Sequence, residues 1–424
     1  MEIKSIKTER KFLMGWRFKN NEIKYLRKVL SSDFSAGADK SFAEKFEIKF
    51  ANIHKQRYAI ASNSGTSTLH QALIALGVGH GDEVIIPALT VAMCGFAVYQ
   101  CGAVPVYCDV DNETFLLDPK DLKKKITKKT KAVMVVHIYG LMCNMTDILK
   151  ITKNKKIGVI EDCAQCFLGK DDKKRISGTI GDIGSWSLES SKHISCSEGG
   201  ILTTNNKSLA KKMRKFGGLG FTNISATSGK VRISKDKFQD PKWKRHDEIG
   251  YNYRLSEISA AVALAQTEKL KYFVNKRIKS GNAYRNLIIK SKTELLIPQK
   301  IPRGYVHSFY TFAALFNGYK VSWQDFRKKY VENGGDGIYA AWQTVNNEPC
   351  FLNARKKGIY SGSMKLSDSY GYGDVPVAEK VQKNIMQFTT NQNSDSAMKV
   401  QLNALKKTLN FFKFNWNYQY LFSS

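Results

Sequence analysis

The sequence predicts an α/β protein, with a large domain built on a mainly parallel sheet and helices on both faces, and a smaller C-terminal α+β domain. Short runs rich in β-branched residues alternate with helical patterns over residues 58–163, which is typical of βα units and parallel strands. Residues 307–316 and 321–335 then suggest antiparallel strands and a helix. The 424 residues are enough for two domains with substantial cores.

Each element follows from a local pattern. Apolar residues at helical spacing predict two helices before the first strand, one with Ile23, Leu26 and Leu30 and one with Phe42, Phe46 and Phe50. Strands are predicted at 58–61, 83–87, 104–109, 132–137, 158–163, 183–188 and 200–203, with helices at 66–76, 92–100, 145–152 and after the Asp118-Pro119 cap. Residues 255–277, capped by Ser256, predict a long helix that joins the domains.

Composition predicts a soluble, cytoplasmic protein. No window of eighteen apolar residues occurs, and the N-terminus is charged and lacks a hydrophobic signal core. The eight cysteines are scattered, which fits a reducing compartment. Cys163 and Cys166 form a CxxC pair, but no second pair accompanies them at zinc-finger spacing, so no metal site is predicted.

The net charge of +30, from 67 Lys and Arg against 37 Asp and Glu, would favour polyanionic partners. The lysines are spread over the whole chain, however, and no helix-turn-helix, RNA-binding aromatic signature or zinc finger occurs. Nucleic-acid binding is therefore not the prediction, although the charge suits an anionic small substrate.

Three candidate sites follow strands, where ligands gather in parallel sheets. Residues 62–68, SNSGTST, can form an anion cradle at a helix N-terminus with the hydroxyls of Ser64 and Thr66 as added donors, or serve only as a helix cap. Asp162 ends a buried strand and needs a cationic partner, unless it caps a helix. Lys192 sits on a Ser- and Gly-rich turn between two strands, either as a desolvated nucleophile or as a surface lysine.

A phosphate cradle, a strand-end carboxylate and a turn lysine, in this order, are what pyridoxal phosphate requires. The order also resembles the DegT/StrS-type sugar aminotransferases, which are fold-type I pyridoxal phosphate enzymes. The resemblance runs over residues 20–270 and is carried by SNSGTSTLHQAL, GDEVIIPALT, VPVYCDVD, VHIYG, VIEDCAQ, GDIGSWS before Lys192, SEGG and GYNYR. It implies a seven-stranded, mainly parallel sheet.

The resemblance also implies roles for individual residues. Lys192 would form a Schiff base with the cofactor, Asp162 would pair with the pyridine nitrogen, and Gln165 would approach the ring oxygen. The phosphate would be held by Gly65, Thr66 and Ser187, with Asn252 reaching the phosphate of a neighbouring subunit in a homodimer that shares its active sites.

Two positions depart from the family pattern. Val91 stands where the family has an aromatic residue stacked on the cofactor ring, so apolar contact must replace stacking. Ser197 replaces the glycine that is common before EGG, which puts the turn around Glu198 in question. His193 is a candidate for the substrate-binding wall of the site, and Arg254 with the basic residues of 222–248 is a candidate for the substrate phosphates.

We predict a large cofactor-binding domain over residues 1–265, including the N-terminal helices and a basic loop at 222–248, and a small domain over 266–424. The implied reaction moves an amino group from glutamate to a nucleotide-linked keto-deoxysugar for surface glycans. One alternative is a nucleotide-sugar dehydratase of the same family, in which histidine replaces the lysine. Another is a non-catalytic binding or regulatory protein.

Overall fold

The computed structural model describes residues 17–34, 40–229, 234–318, 321–357, 359–361, 364–367 and 371–421. Parts of the predicted domains and of the predicted basic loop therefore lie outside the described residues, among them 1–16, 230–233 and 422–424. No helix in the described ranges is both long and apolar enough to cross a membrane.

Seven strands form the large sheet: β1 (Tyr58–Ser62), β2 (Glu83–Pro87), β3 (Val104–Cys108), β4 (Thr130–Val136), β5 (Gly158–Asp162), β6 (Ile183–Ser187) and β7 (Gly200–Thr204). Their order is β1-β7-β6-β5-β4-β2-β3. The pairs from β6 through to β3 are parallel, whereas β7 runs antiparallel to both β6 and β1. The predicted seven-stranded, mainly parallel sheet is confirmed.

Helices accompany this sheet along the chain: α1 (Asn20–Ser31), α2 (Phe42–His54), α3 (Gly65–Ala75), α4 (Met93–Gln100), α5 (Pro119–Lys125), α6 (Met145–Lys153), α7 (Lys207–Gly217), α8 (Lys235–Gln239) and α9 (Glu257–Glu268). The predicted caps are present, since Asp118 accepts from Lys120 N and Ser256 from Ser259 N. Helix α8 lies within the predicted basic loop, which is otherwise irregular where it is described.

The two faces of the sheet are covered by different helices because side chains alternate along each strand. Ile60 of β1 packs in a core that includes Leu69 and Leu73 of α3. Its neighbour Ala59 packs on the other face with Phe46 and Phe50 of α2. Strands β2 and β3 are buried along their whole length, as expected for parallel strands covered on both sides.

The second part of the fold is an antiparallel sheet of four short strands, β8 (Leu296–Pro298), β9 (Phe312–Phe316), β10 (Ile338–Ala340) and β13 (Ile385–Phe388), in the order β10-β13-β9-β8. Between them lie the hairpin β11 (Ile359–Ser361) and β12 (Met364–Ser367) and the helices α11 (Trp323–Glu332), α12 (Pro349–Lys357) and α13 (Pro376–Gln382), and α14 (Asp395–Leu421) follows. This is the predicted α+β arrangement.

The predicted long joining helix is two helices, because α9 ends at Glu268 and α10 (Leu270–Ser291) begins after the single capping residue Lys269. Lys269 leaves helical geometry and its amine bonds to Arg17 O and Glu22 Oε1. The predicted domain boundary at residues 265 and 266 falls inside α9, and the division into domains stays a prediction.

Four of the buried histidines make the fold sensitive to acid. Burial lowers the pKa of His54 and His70 to about 4, that of His307 to about 3, and that of His193 well below its usual value. Below pH 6.5 the unfolded chain binds protons at these rings that the native protein does not, so stability falls as pH falls. We expect the free energy of unfolding to fall by roughly 1.4 kcal/mol per histidine for each pH unit between about pH 6 and 4.5. Urea unfolding at a series of pH values measures this change.

A matched variant isolates one of these rings. His54 stacks on Phe50 with 4.1 Å between ring centroids, and its Nε2 is buried with no hydrogen-bond partner among the described residues. His54→Phe keeps an aromatic ring and removes the titrating group. The slope of the free energy of unfolding against pH should therefore correspond to one proton fewer than in wild type. An unchanged slope would contradict the assignment.

Candidate active site

The ends of β1, β5 and β6 and the start of β7 surround a cavity of about 490 Å³. Most of the predicted site residues line it, which follows from the parallel arrangement of β1, β5 and β6. Its lining comprises Ser64, Gly65, Thr66, Leu69, Val91, Ala92, Met93, Asp162, Ala164, Ser185, Ser187, Glu189, Ser191, Lys192, Glu198, Tyr310, Trp342 and Glu348.

The N-terminus of α3 forms one wall of the cavity. Ser64 caps the helix by accepting from Ser67 N at 3.0 Å, so its cap role is present alongside its place in the cavity lining. The N–H groups of Gly65 and Thr66 have no acceptor within the helix because they belong to its first turn. With the hydroxyl of Ser187 beside them, these N–H groups form an anion cradle at the positive end of the helix dipole.

Gly65 is required by the close approach of α3 to β6. A Cβ at this position would lie 2.8 Å from Ser187 Cβ and 3.3 Å from Ser187 Cα. We expect Gly65→Ala to push the helix away from the strand and to weaken cofactor binding by about 10-fold or more. A 10-fold loss of affinity corresponds in free energy to a modest overpacking penalty. Titration of apo-protein with pyridoxal phosphate measures this change.

Gly79→Ala is the matched control for Gly65→Ala. A Cβ at Gly79 meets no atom of the described part of the chain within 4 Å, so we expect unaltered cofactor affinity in that variant. Equal affinities in the two variants would contradict a cradle at Gly65.

Asp162 lies at the end of β5 and is only 3% exposed. Its Oδ1 accepts from Ala164 N at 2.9 Å and its Oδ2 lies 3.5 Å from Cys94 Sγ. Burial raises the pKa of this carboxyl, even though the Ala164 N–H and the Lys192 charge oppose the shift. A buried carboxylate in this position is stabilised by a cation, and a protonated pyridine nitrogen in the cavity would provide one.

Lys192 is half-buried on the turn between β6 and β7, as predicted, and it lines the same cavity as Asp162. Its Nζ lies 4.8 Å from the centroid of the Tyr310 ring. The turn is ordered by Glu189, whose carboxylate accepts from Ser191 N at 3.1 Å and from the Ser191 hydroxyl. The Ser191 hydroxyl in turn lies 2.8 Å from the Tyr310 hydroxyl.

In the turn that follows, Ser197 stands in place of the glycine that is common in the family. Ser197 has φ of 76°, in the left-handed region that glycine favours. Its N–H donates to Ser195 Oγ at 3.1 Å. The departure from the family pattern at Ser197 is therefore accommodated at a conformational cost of about 1 kcal/mol, and Glu198 still lines the cavity.

Three of the lining residues that sequence reasoning missed come from outside the large sheet. Tyr310 precedes β9, and Trp342 and Glu348 follow β10, so all three come from the region of the second sheet. No motif marks them. Their role depends on how the second sheet meets the first, which a local pattern does not report.

Four predicted residues lie elsewhere. Gln165 is buried next to the cavity, where its Oε1 accepts from Tyr139 N at 2.7 Å. The His193 ring packs against Phe167 and its Nε2 bonds to Ser308 O at 3.0 Å, away from the cavity. Asn252 is exposed and does not line the cavity, and Arg254 lines a separate cavity of about 200 Å³. Val91, by contrast, lies in the cavity wall.

A buried group of His137, Glu161 and Cys163 has the composition of a metal site. The Glu161 carboxylate, however, accepts from Gly178 N, Ile180 N and Gly181 N at 2.6–2.9 Å and bonds to His137 Nε2 at 2.9 Å. These bonds use its oxygens, so Glu161 anchors the loop before β6.

Comparison with known proteins identifies the family. A model of the DegT/DnrJ/EryC1/StrS aminotransferase family matches residues 17–361. The chain belongs to this family. It is 36% identical to a GDP-perosamine synthase of Escherichia coli O157:H7 over 294 residues, which cover 69% of this chain and 74% of that protein.

Solved structures agree with this fold. An aminotransferase from Psychrobacter cryohalolentis superimposes with a TM-score of 0.79 at 25% identity and covers 93% of this chain and 97% of its own. A GDP-4-keto-6-deoxymannose-3-dehydratase with bound GDP-perosamine reaches a TM-score of 0.77 at 23% identity, covering 92% and 98%; this second likeness shows the fold alone. The expectations of the fold-type I class, of an aminotransferase and of pyridoxal 5'-phosphate as cofactor are confirmed.

The cavity fits this cofactor by its own chemistry. The N-terminus of α3 with Ser187 suits the phosphate, the buried Asp162 suits the ring nitrogen, and the amine of Lys192 suits the aldehyde. Bound there, pyridoxal phosphate would supply an electron sink for charge that develops on the carbon that loses its proton.

Proposed function

We propose that this aminotransferase transfers the amino group of L-glutamate to a nucleotide-linked keto-deoxyhexose. The observation that carries the proposal is that Lys192, Asp162 and the Gly65 cradle line one cavity. The names of similar proteins favour a GDP-linked 4-keto-6-deoxyhexose as the acceptor.

The other walls of the cavity suit a sugar ring. Glu189, Glu198 and Glu348 contribute carboxylates that can accept hydrogen bonds from ring hydroxyls, and Trp342 offers an apolar face. Carboxylates repel a diphosphate, so the nucleotide would lie outside this part of the cavity, towards basic residues of the 222–248 segment or Arg254.

In the proposed reaction the neutral amine of Lys192 removes the proton from the α-carbon of glutamate and later returns a proton to the sugar carbon. The carboxylate of Asp162 would favour positive charge at the ring nitrogen of the cofactor, and the N–H groups of α3 would hold its phosphate. Water supplies the keto oxygen of the 2-oxoglutarate that leaves, and the keto oxygen of the sugar is released as water when the amino group replaces it.

Two observations support a homodimer with shared sites. Asn252 lies outside the cavity of its own subunit and is exposed. Its neighbours Ile249 and Tyr251 are exposed apolar side chains, at 93% and 47%, which a second copy would cover. We propose that Asn252 completes the phosphate site of the other subunit, and that the enzyme works in the cytoplasm.

The dehydratase alternative needs a histidine in place of the active lysine. Lys192 occupies the cavity, while the adjacent His193 ring is fully enclosed against Phe167 and Ser308. A ring held there does not reach a substrate in the cavity. This placement favours the aminotransferase over the dehydratase, and the presence of Lys192 and Asp162 in one cavity also disfavours a non-catalytic protein.

The deciding experiment incubates the protein with L-glutamate and a panel of GDP-, dTDP- and UDP-linked 4-keto and 3-keto 6-deoxyhexoses, followed by mass spectrometry of the sugars. We expect one oxygen to be replaced by an amino group and 2-oxoglutarate to form in equal amount. Loss of a ring hydroxyl without retained nitrogen would instead identify a dehydratase. No conversion of any member would contradict the proposed substrate class.

A further inference from the structure

Two arginines donate hydrogen bonds to the backbone of the Lys192 turn, on the side opposite the cavity. Arg17 donates to Ser190 O at 2.7 Å, to Lys192 O at 2.6 Å and to His193 O at 3.1 Å. Arg277 of α10 donates to Ser191 O at 2.8 Å and to Lys192 O at 3.4 Å. Four consecutive carbonyls, those of residues 190–193, therefore accept from a guanidinium. We call Arg17 and Arg277 the arginine clamp.

Arg277 also contacts Tyr310, which lines the cavity. Its Nη1 donates to Tyr310 O, and its Cζ lies 5.5 Å from the centroid of the Tyr310 ring. The same ring lies 4.8 Å from Lys192 Nζ. One guanidinium thus fixes both the turn that carries Lys192 and the aromatic ring that its amine faces.

The clamp is costly for the fold, which argues for a role in function. Arg277 is 5% exposed, and in the described part of the chain it forms no ion pair with a carboxylate. Burial and the neighbouring Arg17 charge lower the pKa of Arg277 to about 9. The two guanidinium groups repel each other, and this repulsion is offset by the carbonyls of the turn and of Tyr310, by the Tyr310 ring beside Arg277 and by the charge of Glu189 near Arg17.

The geometry has a direct consequence for Lys192. With its carbonyl bound on one side of the turn, the side chain extends to the other side, into the cavity. Glu189 orders the donors of this turn, whereas the arginine clamp binds its carbonyls, which a carboxylate does not. A reacting group that is held within a fraction of an ångström of its productive position reacts faster by a large factor.

We infer that Arg17 and Arg277 are positioning residues for Lys192, with Arg277 also setting the place of Tyr310. The inference rests on Lys192 being the reacting amine, as proposed above. It does not depend on the sugar acceptor, because the first half of the reaction needs only glutamate.

The test follows exchange of the glutamate α-proton in deuterated water by NMR, which reports proton transfer at Lys192 without any sugar. For Arg277→Met we expect an exchange rate lower by about 10- to 100-fold per cofactor-loaded site. The KM for glutamate should stay within about twofold, since the clamp contacts no substrate. Arg277→Lys should recover part of the rate because it keeps a donor for the carbonyls.

Arg17→Met provides a second variant that is less exposed to folding failure, since Arg17 is only half-buried. Arg285→Met, on the same helix, is the control and should match wild type. The inference is overturned if both Arg17→Met and Arg277→Met exchange within twofold of wild type per loaded site. Loading itself is counted by borohydride reduction and peptide mapping; a label on a lysine other than Lys192 in wild type would instead overturn the proposed function.

Discussion

Lys192→Ala is expected to lose turnover by about 10⁴-fold or more, because the cavity then has no amine to bind the cofactor aldehyde or to move the α-proton. The other cavity groups stay in place, so the variant should still bind the aminated form of the cofactor through the α3 cradle and Asp162. Release of 2-oxoglutarate from glutamate in the presence of the keto sugar measures the loss.

The fold should tolerate this change, because the clamp and the Glu189 carbonyl bind the backbone of residue 192, which alanine retains. Lys123→Ala, at an exposed lysine of α5, is the control and should be fully active. Normal turnover in Lys192→Ala would remove the lysine from the chemistry.

Asp162→Asn is expected to reduce activity by about 10²- to 10⁴-fold with the protein fully folded. Asparagine can keep the bond from Ala164 N, but it does not supply the negative charge that holds a proton on the ring nitrogen. The raised pKa of Asp162 means that the ionised form destabilises the apo-protein. The asparagine variant without cofactor should therefore be at least as stable as wild type, as judged by its thermal midpoint.

The adjacent residue gives the matched comparison for Asp162. Glu161→Gln should lower the thermal midpoint instead, since an amide NH₂ would face backbone N–H groups that now bond to the carboxylate. The two neighbouring carboxylates on β5 would then have different roles, Asp162 in the reaction and Glu161 in the stability of the fold. A wild-type rate in Asp162→Asn would contradict the electrostatic role.

Much of the architecture was predictable because βα units are local. Hydrophobic runs of strand length and the caps at Ser64, Asp118 and Ser256 mark their own boundaries. The convergence of Ser187, Asp162 and the α3 N-terminus then follows from parallel strands ending at one edge of a sheet. The direction of β7 does not follow from pattern, since a buried strand of five residues looks alike in either direction.

The remaining site residues depend on contacts between distant segments. Tyr310 and Arg277 reach the Lys192 turn from sequence separations of more than eighty residues, and nothing in their neighbours signals it. His193 illustrates the opposite error: next to Lys192 in sequence, it points to the other side of the turn because the clamp fixes the backbone between them. The break between α9 and α10 was missed because the helical spacing of the sequence runs on through Lys269 without interruption.

The central claim is a covalent linkage between the Lys192 amine and pyridoxal phosphate in the cavity beside Asp162. Reduction of the purified holoenzyme with borohydride, followed by proteolysis and mass spectrometry, tests it most directly. We predict one phosphopyridoxyl group per chain, on the peptide that contains Lys192. Absence of any modified peptide from cofactor-saturated protein, or modification of a different lysine, would contradict the account.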